Sequence, residues 1–180
     1  MTEKKLNQAL DEFITRFTAL PNDPRTEYDP EWLSPCLLEA LAPGELAQWR
    51  PVLQSQSRSF ADMEQALELA LDPQLKAYFS RYYSDHIEAQ APQGKLTLLQ
   101  IWNDDDAERL QQNLIGHVLM KRQLKQPETL FFALTDEEDF IVSVDNASGQ
   151  VVLEQVGKPA QQVLAQDLAE FLATLQPLAE

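Results

Sequence analysis

Apolar residues near the N-terminus recur every three or four positions. The repeat consists of Leu6, Leu10, Phe13, Ile14 and Phe17. This spacing places all of them on one face of an α-helix. Pro21 and Pro24 follow, so we predict an amphipathic helix that ends near Leu20 and packs against the core.

Residues 21–58 show no sustained periodicity. The prolines Pro30, Pro35, Pro43 and Pro51 are too closely spaced for long elements. We therefore predict irregular structure here, which Trp32 and Trp49 anchor to the core.

Two short helices are predicted next. Ser59 is a suitable N-cap for the first helix, whose apolar positions are Phe60, Met63, Ala66, Leu67 and Ala70. Pro73 interrupts that pattern and can open a second helix. The apolar positions of the second helix are Leu75, Tyr78, Phe79 and Tyr82.

A nearly continuous apolar run at 95–102 predicts a central strand. Asp104, Asp105 and Asp106 follow it, at the first turn of a helix, where the helix dipole favours negative charge. The buried face of this helix is predicted to comprise Ala107, Leu110, Leu114 and Val118. Gly116 costs about 1 kcal/mol relative to alanine in a helix interior, so we expect it to allow close packing on the sheet.

The C-terminal part predicts a meander of strands at 129–134, 139–144 and 150–156, with a turn at 146–149. A terminal amphipathic helix is predicted from Leu164, Leu168, Phe171, Leu172 and Leu175. The order of elements indicates an α+β fold. At 180 residues we expect a single domain, 1–180, with a mostly antiparallel central sheet flanked by helices.

The formal net charge of −15 favours basic partners. Residues 126–180 hold ten acidic residues and one basic residue, which makes a one-sided field plausible. Such a charge disfavours nucleic acid and anionic lipid. The sequence contains one cysteine, so no internal disulfide can form, and no segment approaches the roughly 18 apolar residues of a membrane span.

No pattern of catalytic or cofactor-binding residues emerges. Three consecutive aspartates on a helix point about 100° apart and cannot converge on one ion, so an acidic helix start is favoured over a metal site. His86 and His117 have no second metal ligand at a recognisable spacing, and Cys36 lacks a nucleophile signature. We therefore expect no enzyme activity, no metal and no cofactor.

Several segments, taken together, resemble one family. The strongest match runs from Lys95 to Ile101, with Trp102, Asp105 and Arg109 and the run 113–117. It continues through Leu124-Lys125, Pro127, the runs 129–131 and 137–138, and the residues Ile141, Ser143, Val144, Asn146, Ser148 and Gly149. It ends with 168–172, Leu175 and 177–178, while 34–36, Trp49 and Pro51 match earlier in the chain. This pattern resembles Syd, the bacterial SecY-interacting family.

The resemblance implies an SMI1/KNR4-type fold with a concave acidic groove. It further implies a non-enzymatic protein, peripheral on the cytoplasmic side of the cell inner membrane, that binds uncomplexed SecY and so regulates or quality-checks the translocase. The charge agrees with this, because cytoplasmic loops of membrane proteins are rich in lysine and arginine. Two alternatives stay open: an immunity-type interaction module that caps a basic toxin, and a metal-dependent hydrolase that uses the acidic clusters.

The ends of elements present side chains to a partner, whereas strand and helix interiors are committed to the core. We therefore predict contacts with SecY cytoplasmic loops, and no lipid insertion, through acidic residues with aromatic support. Asp104 or Asp105 could instead act only as a helix cap. The predicted contact residues are Tyr82, Trp102, Asp104, Asp105, Glu137, Glu138 and Asp139.

Overall fold

The computed structural model describes residues 2–179. The helices are α1 (Thr2–Thr18), α2 (Ala61–Leu67), α3 (Pro73–Arg81), α4 (Asp104–Gln123) and α5 (Leu168–Ala173). The strands are β1 (Arg25–Glu27), β2 (Leu46–Gln48), β3 (Val52–Leu53), β4 (Tyr82–Tyr83), β5 (Ile87–Ala91), β6 (Gly94–Leu98), β7 (Thr129–Thr135), β8 (Phe140–Asp145), β9 (Val151–Gln155), β10 (Ala160–Ala165) and β11 (Gln176–Pro177).

Seven strands form one antiparallel sheet in the order β10-β9-β8-β7-β6-β5-β11. Two small ribbons, β1-β2 and β3-β4, lie outside it. The α+β class and the mostly antiparallel central sheet flanked by helices are therefore confirmed. Most of the buried apolar side chains belong to one continuous core; Ala47, Ile141, Val152 and Ala169 are buried outside it.

The two faces of the sheet carry different helices. Phe131 of β7 packs edge-on against His117 of α4. The next residue, Phe132, packs against Tyr78 of α3 and Phe171 of α5. Successive side chains of a strand point to opposite faces, so α4 covers one face and α3 and α5 cover the other. Helix α1 packs on α3 and α5, with the predicted apolar stripe buried.

A buried ion pair ties α4 to the sheet. The Lys121 ammonium lies 2.8 Å from the Glu154 carboxylate, and both side chains are 1% exposed. His117 Nε2 lies 2.9 Å from Thr129 Oγ1 and 3.9 Å from Glu154. The sequence did not predict this buried ion pair, because lysine and glutamate are ordinarily exposed to solvent.

Several predicted strand boundaries were wrong. The central strand ends at Leu98, not at 102, and Ile101 makes only an isolated parallel bridge with Tyr83. Strands β5 and β10 were missed, and Leu164 belongs to β10 rather than to the terminal helix, which starts at Leu168. Short strands within 21–58 were also missed, although Trp49 is fully buried as expected.

The helix ends also differ from the predictions. Tyr82 lies beyond α3 and pairs with Leu53 in a two-residue ribbon. Helix α2 has Phe60 at its cap position, with no side-chain capping bond, while the Ser59 hydroxyl accepts a hydrogen bond from Ala61 N. Gly116 is exposed, and a Cβ atom there would meet nothing within 4 Å, so it does not serve close packing on the sheet.

Candidate protein-binding surface

The first turn of α4 is fixed by the residue before it. Asn103 has an extended backbone, and its side chain accepts a hydrogen bond from Asp106 N at 2.8 Å. Asn103 is therefore the N-cap, and the alternative prediction that Asp104 or Asp105 caps the helix is wrong. The three aspartates occupy the first turn, as predicted, where the helix dipole stabilises them.

Asp104 is held in a small polar cluster. Its Oδ1 accepts hydrogen bonds from the Arg58 guanidinium at 2.7 Å and from the Tyr83 hydroxyl at 2.6 Å. These two bonds lower the pKa of Asp104 below its ordinary value. Arg58 also lies over the Tyr83 ring. Asp104 therefore stays ionised in mildly acidic solution, but one cation already compensates part of its charge.

Two clefts flank this first turn. One, of about 550 Å³, is lined by 54–59 together with Asp62, Tyr83, Asp104, Glu108 and Gln111. The other, of about 200 Å³, is lined by Thr26, Glu27, Trp32, Ser84, Asp85, His86, Trp102, Asp106 and Arg109. Asp106 also lines the second cleft, but it is buried and pairs with Arg109. The other carboxylates at the two clefts and on the turn between them form what we call the α4 acidic surface: Glu27, Asp62, Asp85, Asp104, Asp105 and Glu108.

Most of the α4 acidic surface carries uncompensated charge. Within residues 2–179, Asp104 is the only one of its six carboxylates that pairs with a basic side chain. The other arginine of the region, Arg109, pairs with Asp106 at 2.8 Å and stacks on the Trp32 ring. Both arginines are thus committed to neighbouring groups, and the remaining carboxylates present a net negative potential around the clefts.

The two aromatic residues among the predicted contacts are largely buried. The Tyr82 hydroxyl donates to Asp11 at 2.6 Å, and the side chain is 8% exposed. The Trp102 indole donates to Trp32 O and packs edge-on against Trp49, with the same 8% exposure. Each holds the neighbouring backbone in place and offers little area to a partner.

The acidic turn between β7 and β8 comprises Asp136, Glu137, Glu138 and Asp139, and all four residues are exposed. The Thr135 hydroxyl stabilises the turn: it accepts a hydrogen bond from Glu137 N, and its single proton lies within reach of the carbonyls of Glu137 and Phe140. Thr135 pairs with Leu96 in the middle of β6, and the pairing is antiparallel, so the turn that follows lies by the start of β6, where Asp136 and Glu137 share a cavity with Gly94 and Lys95. Helix α4 follows the other end of that strand. The fold therefore places the acidic turn and the α4 acidic surface by opposite ends of β6 and does not bring them together.

Sequence reasoning missed several members of the α4 acidic surface. Glu27, Asp62 and Asp85 are distant from Asp104 in the sequence and reach it only through the packing of β1, α2 and the segment before β5. Tyr83 carried a detectable signal, since neighbouring residues of an extended segment face opposite sides. If Tyr82 is buried, Tyr83 is the partner residue to expect at the surface.

Residues 2–179 contain neither a cluster of metal-ligating side chains nor a helix that could span a membrane. No group of three or more histidine, cysteine, aspartate or glutamate side chains is placed to hold a metal ion. No helix in this part of the chain is both long and apolar enough to cross a membrane.

Comparison with known proteins gives a consistent assignment. The family model described as "Syd protein (SUKH-2)" matches residues 4–177. Protein Syd of Pseudoalteromonas atlantica is 50% identical over 178 residues, covering 96% of each chain. Protein Syd of Alteromonas mediterranea is 50% identical over 175 residues, covering 96% of this chain and 97% of the relative. Protein Syd of Colwellia psychrerythraea is 44% identical, with 97% and 94% covered. The chain therefore belongs to the Syd family.

Proposed function

We propose that this protein binds cytoplasmic loops of SecY through its acidic surfaces, without catalytic turnover. It acts at the cytoplasmic face of the inner membrane, where it regulates or quality-checks the translocase by engaging uncomplexed SecY. Family membership supports the partner, because the Syd family is described as SecY-interacting. The observation that carries the proposal is the α4 acidic surface, where five carboxylates lack a basic partner within residues 2–179.

The electrostatics favour a protein loop over the lipid surface. Cytoplasmic loops of membrane proteins carry excess lysine and arginine, so a net charge of −15 steers the protein toward them. Anionic lipid repels the same charge. Binding to a basic loop therefore reconciles a strongly acidic protein with a position at the membrane.

We assign the two acidic regions separate roles. Glu108 lines the larger cleft, and Asp105 is exposed on the first turn of α4. Asp104 joins them once Arg58 is displaced or shared. Glu137, Glu138 and Asp139 form a second contact at the other end of β6. Tyr82 and Trp102 are largely buried and contribute to the first region indirectly, because they hold the neighbouring Tyr83 and Asn103 in place.

The test is binding of the purified protein to detergent-solubilised SecY at low and high salt. Asp105→Lys combined with Glu108→Lys, and separately Glu137→Lys with Glu138→Lys and Asp139→Lys, should slow association. All five residues are exposed, so the fold should persist, but the melting temperature should fall modestly, because Asp105→Lys opposes the helix dipole and Asp139 has a φ of 70°. Raising salt should weaken binding of the parent protein, since exposed charges are screened over about 8 Å at physiological ionic strength.

A matched control reverses two acids on the other side of the sheet. Glu12→Lys with Glu170→Lys changes the net charge as much as the α4 pair does, but these residues lie on α1 and α5. Association that slows equally in the control would show that only net charge matters. If neither the variants nor the salt concentration changes SecY retention, the acidic surfaces are not the docking site. If the parent protein itself does not retain SecY, the whole proposal is refuted.

A further inference from the structure

The face of the sheet that carries α5 is not fully covered at the end where β7 meets β8. A cavity of about 120 Å³ lies there, beside the acidic turn. Its apolar walls come from five strands and α5: Ala91, Leu96, Val142, Leu153, Leu164 and Phe171. Leu153 and Leu164 pack against the core but are only half-buried, so part of each side chain is left to line the cavity.

The size of the cavity limits what can enter it. An engineered protein cavity of about 150 Å³ with apolar walls binds a single benzene molecule. A space of about 120 Å³ therefore suits one aliphatic side chain and is too small for a cofactor or a lipid tail.

The rim of the cavity adds a charge preference. Asp136 and Glu137 line it directly, and Glu138 and Asp139 continue the same exposed turn. Lys95 is the one basic residue among the lining residues. An apolar cavity beside four carboxylates and one ammonium favours a ligand that has an apolar group flanked by positive charges.

We propose that this cavity anchors one aliphatic side chain of a peptide segment in which lysine or arginine flanks that side chain. The apolar group fills the space above Leu153 and Leu164, while the flanking cations contact Asp136 and Glu137. This inference specifies the partner chemistry at the second contact of the proposed function, but its test needs no SecY.

Two peptides differing at one position test it: acetylated and amidated Lys-Lys-Leu-Lys-Lys, and the same peptide with serine in place of leucine. Titrations of the ¹⁵N-labelled protein should show the leucine peptide binding at least about tenfold more tightly, as expected when one leucine side chain is buried. The amides of Gly94, Thr135 and Leu164 should shift with the leucine peptide. Equal affinities, or shifts confined to other regions, would overturn the proposal.

A variant that fills the cavity supplies the second measurement. Leu164→Trp should abolish the preference for leucine, whereas Val163→Trp should retain it, because Val163 is exposed and does not line the cavity. Gln93→Trp, at an exposed position of the mouth, provides a second filling variant if Leu164→Trp does not fold. A filled cavity that still prefers leucine would refute the assignment.

The two proposals fail separately. If the protein discriminates the peptides but does not retain SecY, the cavity assignment stands and the partner is wrong. If SecY is retained and the peptides bind equally, the family function stands and the cavity takes no side chain.

Discussion

Replacing Lys121 by methionine tests the buried ion pair between α4 and the sheet. Lys121 Nζ donates to Glu154 Oε1 at 2.8 Å and to Lys158 O at 3.2 Å. Methionine keeps most of the aliphatic volume but removes the charge. The Glu154 carboxylate, whose side chain is 1% exposed, is then left without a cation to compensate it.

The magnitude follows from that burial. Removing one partner of a fully buried pair costs roughly 3–5 kcal/mol of unfolding free energy, because the remaining charge stays desolvated. For a domain of this size the melting temperature should fall by roughly 6–20 °C. The double variant Lys121→Met with Glu154→Leu should recover most of this loss, since it leaves no uncompensated charge in the core.

The loss should also depend on pH, through His117. Desolvation lowers the pKa of His117 from its ordinary value of 6.5, Glu154 opposes that shift, and Lys121 adds to it. The unfolded chain therefore binds more protons, and the parent protein loses stability as the pH falls below about 6.5. Without Lys121 the pKa of His117 rises, so the folded state accepts a proton more readily, 3.9 Å from Glu154.

Urea unfolding of the parent, single and double variants at about pH 8 and about pH 5.5 measures both effects. The stability difference between the parent and Lys121→Met should shrink at the lower pH. A double variant no more stable than the single one would refute the argument from an uncompensated charge. A pH-independent difference would refute the role given to His117.

Four further predictions concern single positions. Asn103→Ala should cost about 0.5–2 kcal/mol of stability through loss of the α4 cap, and Asp105→Asn should cost much less in the same urea titration. Gly116→Ala should raise the unfolding free energy by about 0.8–1 kcal/mol, since the site is helical and open. Gly149→Ala should lower the unfolding free energy, because the backbone φ of Gly149 is +77° and a Cβ atom there would lie 2.9 Å from Gln74 Nε2. Burial raises the pKa of Cys36 to about 11, so a disulfide reagent at about pH 8 should modify the native thiol far more slowly than the urea-unfolded one; equal rates would contradict that burial.

The sequence by itself determined the elements whose signal is local. The stripe from Leu6 to Phe17 identified α1, and Pro73 identified the start of α3. The acidic first turn after the central strand identified α4, and alternating apolar runs with a turn at 146–149 identified β7, β8 and β9. In each case successive residues of the pattern are close together in the sequence, so periodicity and capping carry the information.

Only the tertiary structure decided features that depend on distant partners. Strand β10 forms because Ala160–Ala165 pairs with β9, although Leu164 also fits a helical stripe. Tyr82 leaves its helix because Leu53, 29 positions earlier, pairs with it. The same limit applies to the site. Asp104 and Asp105 could be chosen from the sequence because they follow a strand, but Glu27, Asp62 and Asp85 join them only through packing. Only the register between β6 and β7 shows that the acidic turn at 136–139 lies away from the α4 acidic surface. The sequence gives the charge and hydrophobicity of every residue. Contacts between residues far apart in the sequence decide which charged side chains share a surface and which, like Lys121, are buried.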